Sequence, residues 1–278
     1  MSTSLPPDAL DLSALTELLG DGDVKSCCAA LYEHPAVRWL LGDELHPGGA
    51  ATTRRAFELI GARPGERLLD IASGKGDSSL LAARELGCAV TGIDYRPAAV
   101  MEAARAADAA GIGDRVAFHV GDAEALPLEE ATFDAVLCEC SLCMFAEKAT
   151  ALAEIRRVLR PGGRVAIADV VADHDRLPAS LRGPLATAAC VGAALSREEL
   201  LQELASGGFR LLGTKSCTQE AAEMAERVHD RLRGARILGI GRLTGSAWAI
   251  EQAIAMATAA RAAIAQDALD YAIFAAAR

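Results

Sequence analysis

The sequence predicts an α/β protein with a doubly wound, mainly parallel sheet of seven strands. Three observations carry this. Short apolar runs alternate with helix-forming stretches at βαβ spacing; the first run ends in a glycine turn; and the second run ends in an acid. The leading unit is Arg67 to Asp94, where Leu68, Leu69 and Ile71 precede Ala72-Ser73-Gly74-Lys75-Gly76, a helical stretch follows, and Ala89 to Ile93 lead into Asp94.

The remaining elements follow in order. Residues 1 to about 20 read as a polar arm entering a short amphipathic helix, Asp23 to Tyr32 and Pro35 to Leu41 suit short helices, and His46-Pro47-Gly48-Gly49 breaks the chain. Helix Ala50 to Gly61 leads into the first strand. After Asp94, helix Pro97 to Ala110 ends at Gly111, and Arg115 to His119 forms a third strand closing at Gly121-Asp122. Leu126 to Asp134 feeds a fourth strand, Ala135 to Cys138. Helix Ala146 to Leu159 stops at Arg160-Pro161-Gly162-Gly163, and Arg164 to Val171 is a strongly apolar fifth strand. A helical stretch then runs to Cys190, and Ser196 with Glu199 makes a capping box for the next helix, which ends at Gly207-Gly208. Phe209 to Cys217 is the sixth strand. Helical stretches Gln219 to Ala235 and Ala247 to Gln266 precede a last strand, Tyr271 to Ala276. The expected organisation is an N-terminal helical lid (1–49), a core (50–217), a helical insertion (218–269) and the last core strand (270–278).

Composition narrows the partners. Lys and Arg total 28 against 38 acids, a formal charge of −10, so the surface should repel nucleic acid. Hydrophobic residues make up 51%, yet no uncharged apolar stretch reaches membrane-spanning length, and the acidic N-terminus lacks a basic, apolar export signal. A cytoplasmic protein acting on a small molecule, without nucleic acid or membrane, is the expectation. The eight cysteines then read as thiols rather than disulfides.

The glycine turn states what kind of molecule. Gly74 and Gly76 allow a sharp turn and close backbone approach, and the following helix offers free N–H groups. Asp94, about 20 residues on, stands where a carboxylate accepts both hydroxyls of a ribose. Two ligands compete, a dinucleotide and S-adenosylmethionine. The dinucleotide pattern wants a third glycine where this chain has Ser79.

Taken together, Asp70-Ile71-Ala72-Ser73-Gly74-Lys75-Gly76, Asp94, Gly121-Asp122-Ala123, Leu126-Pro127 with Phe133-Asp134, and Leu159-Arg160-Pro161-Gly162-Gly163 occur in the order that resembles class I S-adenosylmethionine-dependent methyltransferases. The likeness covers roughly Ala50 to Phe209 and the final strand. It implies a Rossmann-like methyltransferase fold and S-adenosylmethionine as cofactor. The turn Asp70-Ile71-Ala72-Ser73-Gly74-Lys75-Gly76 would lie along the methionine part through Gly74 and Gly76, Asp94 would hold the ribose, and Asp122 with the Ala123 amide the adenine amino group. By position alone, Tyr95 suits stacking on the adenine or the substrate, or core, and Glu139 suits facing the methyl group or a salt bridge. Ala72 departs from the family's usual glycine, which puts the shape of the turn in question.

Cysteine placement bears on the acceptor. Cys138, Cys140 and Cys143 cluster at the carboxyl end of the fourth strand, the edge where open α/β sheets bind ligands. Val136 to Leu142 and Cys190-Val191-Gly192-Ala193-Ala194-Leu195 look similar to the two cysteine segments of arsenite methyltransferases. That likeness implies Cys140 and Cys190 as ligands of a trivalent arsenic substrate, a soft centre suited to thiolates. Some of these enzymes carry a further cysteine near the glycine turn, where this chain has Ser78 and Ser79; Cys27 or Cys28, on a helix before the core, would substitute. Cys88, Cys138 and Cys217 read as core, and a structural zinc is disfavoured because no paired C-x-x-C knuckles occur. Among other candidates, His46 suits a base, a pocket wall or a turn cap, Tyr32 and Trp39 suit stacking or core, and His119 is expected to pack within its strand. The alternative to arsenic is an organic oxygen, nitrogen or carbon acceptor with the cysteines as pocket wall, and a third class is a non-catalytic cofactor-binding or dinucleotide-dependent protein.

Overall fold

The computed structural model describes residues 32, 34–42, 44–183, 186–187, 189–240 and 247–278. Its elements are α1 (Pro35–Leu41), α2 (Gly49–Ile60), β1 (Arg67–Ile71), α3 (Asp77–Leu81), β2 (Ala89–Asp94), α4 (Pro97–Ala109), β3 (Val116–Val120), β4 (Phe133–Glu139), α5 (Lys148–Val158), β5 (Leu159–Ala172), α6 (Arg197–Ser206), β6 (Arg210–Ser216), α7 (Thr218–Ile237), α8 (Ala247–Ala265) and β7 (Leu269–Ala277). The chain divides into two compact units, one of residues 1–48, 170–196 and 217–271, the other of 49–169, 197–216 and 272–278.

The strands form a seven-stranded sheet in the order β3-β2-β1-β4-β5-β7-β6. β1 pairs parallel with β2 and β4, β2 with β3, and β4 with β5, while β6 and β7 are antiparallel. Strand order reverses between β1 and β4, the switch point at whose carboxyl edge such sheets bind ligands. The central strands explain why their sequences lack polar alternation: Leu68, Leu69, Ala135, Val136, Leu137 and Val165 to Ala168 are all fully buried, as expected of parallel strands covered on both faces. The edges differ. His119 on β3 is exposed, which corrects the expectation that it packs; β3 ends the sheet, so only one side of the strand has a neighbour.

The Arg160-Pro161-Gly162-Gly163 turn belongs to β5 rather than preceding it. Phe133 pairs with Leu159, the register then shifts, and Ala135 pairs with Arg164. The intervening residues loop out, with Gly162 at φ 77 and no room for a Cβ at Gly163, where Arg160 O would lie at 2.9 Å. Asp134 fastens this excursion: its carboxylate accepts from the Arg67 N–H at 2.8 Å and Arg160 Nη1 at 2.7 Å. The Leu126-Pro127 segment is likewise held by α5, because Glu154 Oε2 accepts from the Leu126 N–H at 2.8 Å while Arg157 donates to the Leu126 and Leu128 carbonyls.

Below the glycine turn, α3 is one short segment that passes into a π-helical turn at Ala82–Leu86. α4 turns a stripe of small residues inward, Ala99, Ala103 and Ala107. In the first unit, α1 is tied to α7 by Arg231, whose Nη1 reaches the carbonyls of Trp39 at 2.5 Å and Leu40 at 3.0 Å. Arg227 pairs with Glu44 at 3.0 Å, and α8 meets α7 through Arg261 and Glu226 at 2.5 Å. Cys27 and Cys28 lie outside the described residues.

Candidate functional site

Five segments of the second unit converge at the carboxyl ends of β1, β2 and β4. Asp70, on β1, is 3% exposed, and its Oδ2 accepts from Ser79 Oγ at 2.6 Å. Burial pushes the Asp70 carboxyl up to about 7; Ser79 opposes that shift, and the neighbouring carboxylates of Glu139 and Asp94 add to it. The chain then enters the left-handed region at Ala72, φ 56, and the Ser73 N–H donates to Ile93 O at 2.9 Å, tying the turn to β2.

Gly74 and Gly76 serve different purposes. A Cβ on Gly76 would lie 2.7 Å from Phe118 Cζ and 3.0 Å from Ala103 Cβ, so Gly76 allows β3 and α4 to pack against the turn. A Cβ on Gly74 would meet no protein atom within 4 Å. The Gly74 N–H instead donates to Asp94 Oδ2 at 2.8 Å, and Asp94 Oδ1 accepts from the Arg96 N–H at 2.9 Å and Arg96 Nε at 3.2 Å. Ser73 Oγ is buried and has no hydrogen-bond partner among the described residues. An open cradle at a glycine, a buried hydroxyl in want of a partner and a carboxylate at the end of β2 form a site that fits a polar nucleoside ligand.

The other expected contacts are less alike. Asp122 is half-buried, with Oδ1 accepting from the Glu124 N–H at 2.9 Å, and Ala123 is buried. Tyr95 is 51% exposed. Glu139, at the end of β4, is held from two sides: Ser78 Oγ donates to Oε2 at 2.6 Å, and Thr53 Oγ1 lies 3.1 Å from both carboxylate oxygens. Thr53 escaped the sequence reading. Its signal was there, since Thr53 shares the buried face of α2 with Ala56, Phe57 and Ile60, and a hydroxyl in an apolar stripe needs a partner inside.

Cys140 follows β4 at φ 50; it is half-buried and donates its N–H to Ala168 O at 2.7 Å. Cys190 is 1% exposed, sits at φ 67, and has its sulfur 3.5 Å from the Tyr32 hydroxyl. Cys140 belongs to one compact unit and Cys190 to the other. Cys88, Cys138, Cys143 and Cys217 are buried. Burial raises the Cys138 thiol to about 12 despite its contact with Ser141 Oγ at 3.1 Å, which keeps it a thiol and not a thiolate. Among the described residues the side chains close enough to share a metal ion are Glu226, His229 and Asp230, a set without cysteine. His46 stacks on Tyr271 with centroids 6.2 Å apart.

Residues 62–208 match the model of the methyltransferase domain family. The chain belongs to that family. This methyltransferase is 32% identical over 213 residues to the 27-O-demethylrifamycin SV methyltransferase of Amycolatopsis mediterranei, covering 71% of this chain and 78% of the relative. An arsenite methyltransferase of Halobacterium salinarum is 36% identical over 154 residues, which is 52% of this chain but 38% of that protein. The match to a demethylmenaquinone methyltransferase of Thermus thermophilus, 41% identical, spans 51% of that protein. Among solved structures, the cyclase SpnF superposes with TM-score 0.69 at 27% identity over 85% of this chain and 84% of that one. A Haemonchus contortus phosphoethanolamine N-methyltransferase in complex with S-adenosyl-L-methionine gives TM-score 0.76 at 21% identity, over 93% of this chain and 60% of that one.

Proposed function

We propose that this methyltransferase methylates a hydroxyl oxygen of a small organic molecule. The observation that carries the reading is the Glu139 carboxylate, held by Thr53 and Ser78 at the carboxyl end of β4. Oxygen methylation requires the acceptor to lose a proton, and a carboxylate with fixed orientation receives one. The relative matched over most of its length carries an oxygen methyltransferase's name, which supports the same choice.

The bound cofactor supplies an electrophilic methyl group on a sulfonium. The Gly74 turn and Ser73 Oγ, with Asp70, would hold the methionine end; Asp94 would hold the ribose hydroxyls; Asp122 and the Ala123 amide would hold the adenine, with Tyr95 beside it. Glu139 would take the acceptor's proton. Catalysis would then come chiefly from orientation and exclusion of water. A cytoplasmic location is part of the same proposal.

Thiol-bound arsenic is the second reading, favoured by the half-buried Cys140 held in a left-handed conformation just past β4. There Cys140 and Cys190, with Cys27 or Cys28, would bind the trivalent centre. Isotope-labelled S-adenosylmethionine offered with a panel of phenols, hydroquinones, aliphatic alcohols and arsenite separates the two. Transfer to a hydroxyl compound that survives Cys140→Ser and Cys190→Ser supports the first reading. Transfer to arsenite alone, lost in both variants, replaces it with the second.

A further inference from the structure

Three carboxylates share one face at the carboxyl edge of the sheet. Asp70 on β1 is in register with Gly92 of β2 and Leu137 of β4, and two residues further along those strands stand Asp94 and Glu139. Alternate residues of a strand share a face, as do parallel partners in register, so the carboxylates of β2 and β4 flank the one on β1.

Their partners differ. Asp94 accepts from the Gly74 N–H at 2.8 Å and meets Arg96 Nε at 3.2 Å, and Glu139 accepts from Ser78 Oγ at 2.6 Å. Asp70 is 3% exposed and accepts from Ser79 Oγ; among the described residues no Lys or Arg nitrogen lies within salt-bridge distance of it. A buried carboxyl beside two carboxylates is driven toward its neutral form, and a cation placed among them drives it back. Burial first, then Glu139 and Asp94, bring Asp70 to about 7 against the pull of Ser79. The Cys138 thiol, on the same strand as Glu139, stays neutral.

Methyl transfer changes charge at one atom. The sulfonium of S-adenosylmethionine is positive and the thioether of S-adenosylhomocysteine is neutral, while their amino and carboxyl groups are alike. We propose that Asp70 discriminates the cofactor from its demethylated by-product by charge, giving its proton to solvent when the sulfonium is bound and taking one back from solvent when the thioether remains. The by-product is thereby held more loosely than the cofactor. The inference rests on the proposed placement of the methionine end at the Gly74 turn.

Calorimetric titration with S-adenosylmethionine, and separately with S-adenosylhomocysteine, in phosphate and in Tris at pH 7 counts the protons exchanged from the two buffers' ionisation enthalpies. About half a proton should leave per S-adenosylmethionine bound, and less than about a tenth per S-adenosylhomocysteine. Between pH 6 and pH 7 affinity for the first should rise about fivefold while that for the second stays within about twofold. Ser79→Ala, which lacks the donor favouring the carboxylate, should raise the release toward one proton. Asp70→Asn should abolish it and cut the preference for S-adenosylmethionine about tenfold. Binding of S-adenosylmethionine without proton release, or equal release with both ligands, overturns the proposal, and so does pH dependence that survives in Asp70→Asn. Gly74→Ala tells the two failures apart: full affinity there removes the placement and the proposal with it, whereas weakened binding together with a missing proton overturns the role of Asp70 alone.

Discussion

Ser79 Oγ donates to Asp70 Oδ2 across 2.6 Å, with both side chains buried. Ser79 occupies the place of a dinucleotide fold's third glycine, and the structure gives that departure a purpose: it supplies the hydroxyl that satisfies a buried carboxyl. Ser79→Ala leaves Asp70 short of a donor and should cost about 1–3 kcal/mol in urea unfolding. An unchanged midpoint would show that the contact carries no net stability.

The same carboxyl makes stability depend on pH. Its folded value, about 7, stands above the ordinary 3.8, so the folded state holds a proton that the unfolded chain releases between those values. This contribution is fully present at low pH, declines as pH rises from about 4, and is lost above about 7. Asp70→Asn removes the dependence. Melting temperature against pH should be flatter for the variant over that window, and parallel curves would refute the assignment.

Ala72 adopts φ 56, a conformation that costs an L-residue about 1–2 kcal/mol. Ala72→Gly relieves it and gives back part of the gain as unfolded-chain entropy, for a net stabilisation of about 0.5–1 kcal/mol. Chemical denaturation measures this directly; a lower midpoint counts against strain at the turn.

Gly74 and Gly76 should separate binding from folding. Gly76→Ala drives a methyl group into Phe118 and Ala103 and should destabilise by about 3 kcal/mol. Gly74→Ala finds open space in the protein, so its folding penalty is that of the positive φ alone, about 1–2 kcal/mol, while cofactor affinity falls at least about tenfold. Calorimetric titration with S-adenosylmethionine decides; full affinity in Gly74→Ala would move the cofactor away from this turn.

Thr53→Val and Ser78→Ala each release the Glu139 carboxylate from one donor. Under the proposed role both should lower kcat more than they raise the cofactor Kd, and Glu139→Gln should lower kcat by about two to three orders of magnitude. Equal losses in kcat and cofactor binding would return Glu139 to the cofactor side of the site.

The alternation of apolar runs and helices, the glycine turn and Asp94 were legible because each rests on local physics. Strands buried on both faces read as unbroken apolar runs, and a tight turn against a ligand needs glycine whatever surrounds it. That reading reached the seven strands and the methyltransferase family.

Other features required the folded chain. Thr53, Ser78 and Glu139 come from three elements, separated by 25 and 61 residues, and meet only because α2 and α3 both reach the end of β4. His119 reads as a core histidine until the strand order leaves β3 at an edge. Asp134 and Arg160 look like family punctuation, and the fold makes them the clasp of a looped-out β5. Sequence determines what each segment can be, since dihedral preference and burial act within a few residues; tertiary structure decides which segments share a site, since hydrogen bonds and charge act between groups that the chain keeps far apart.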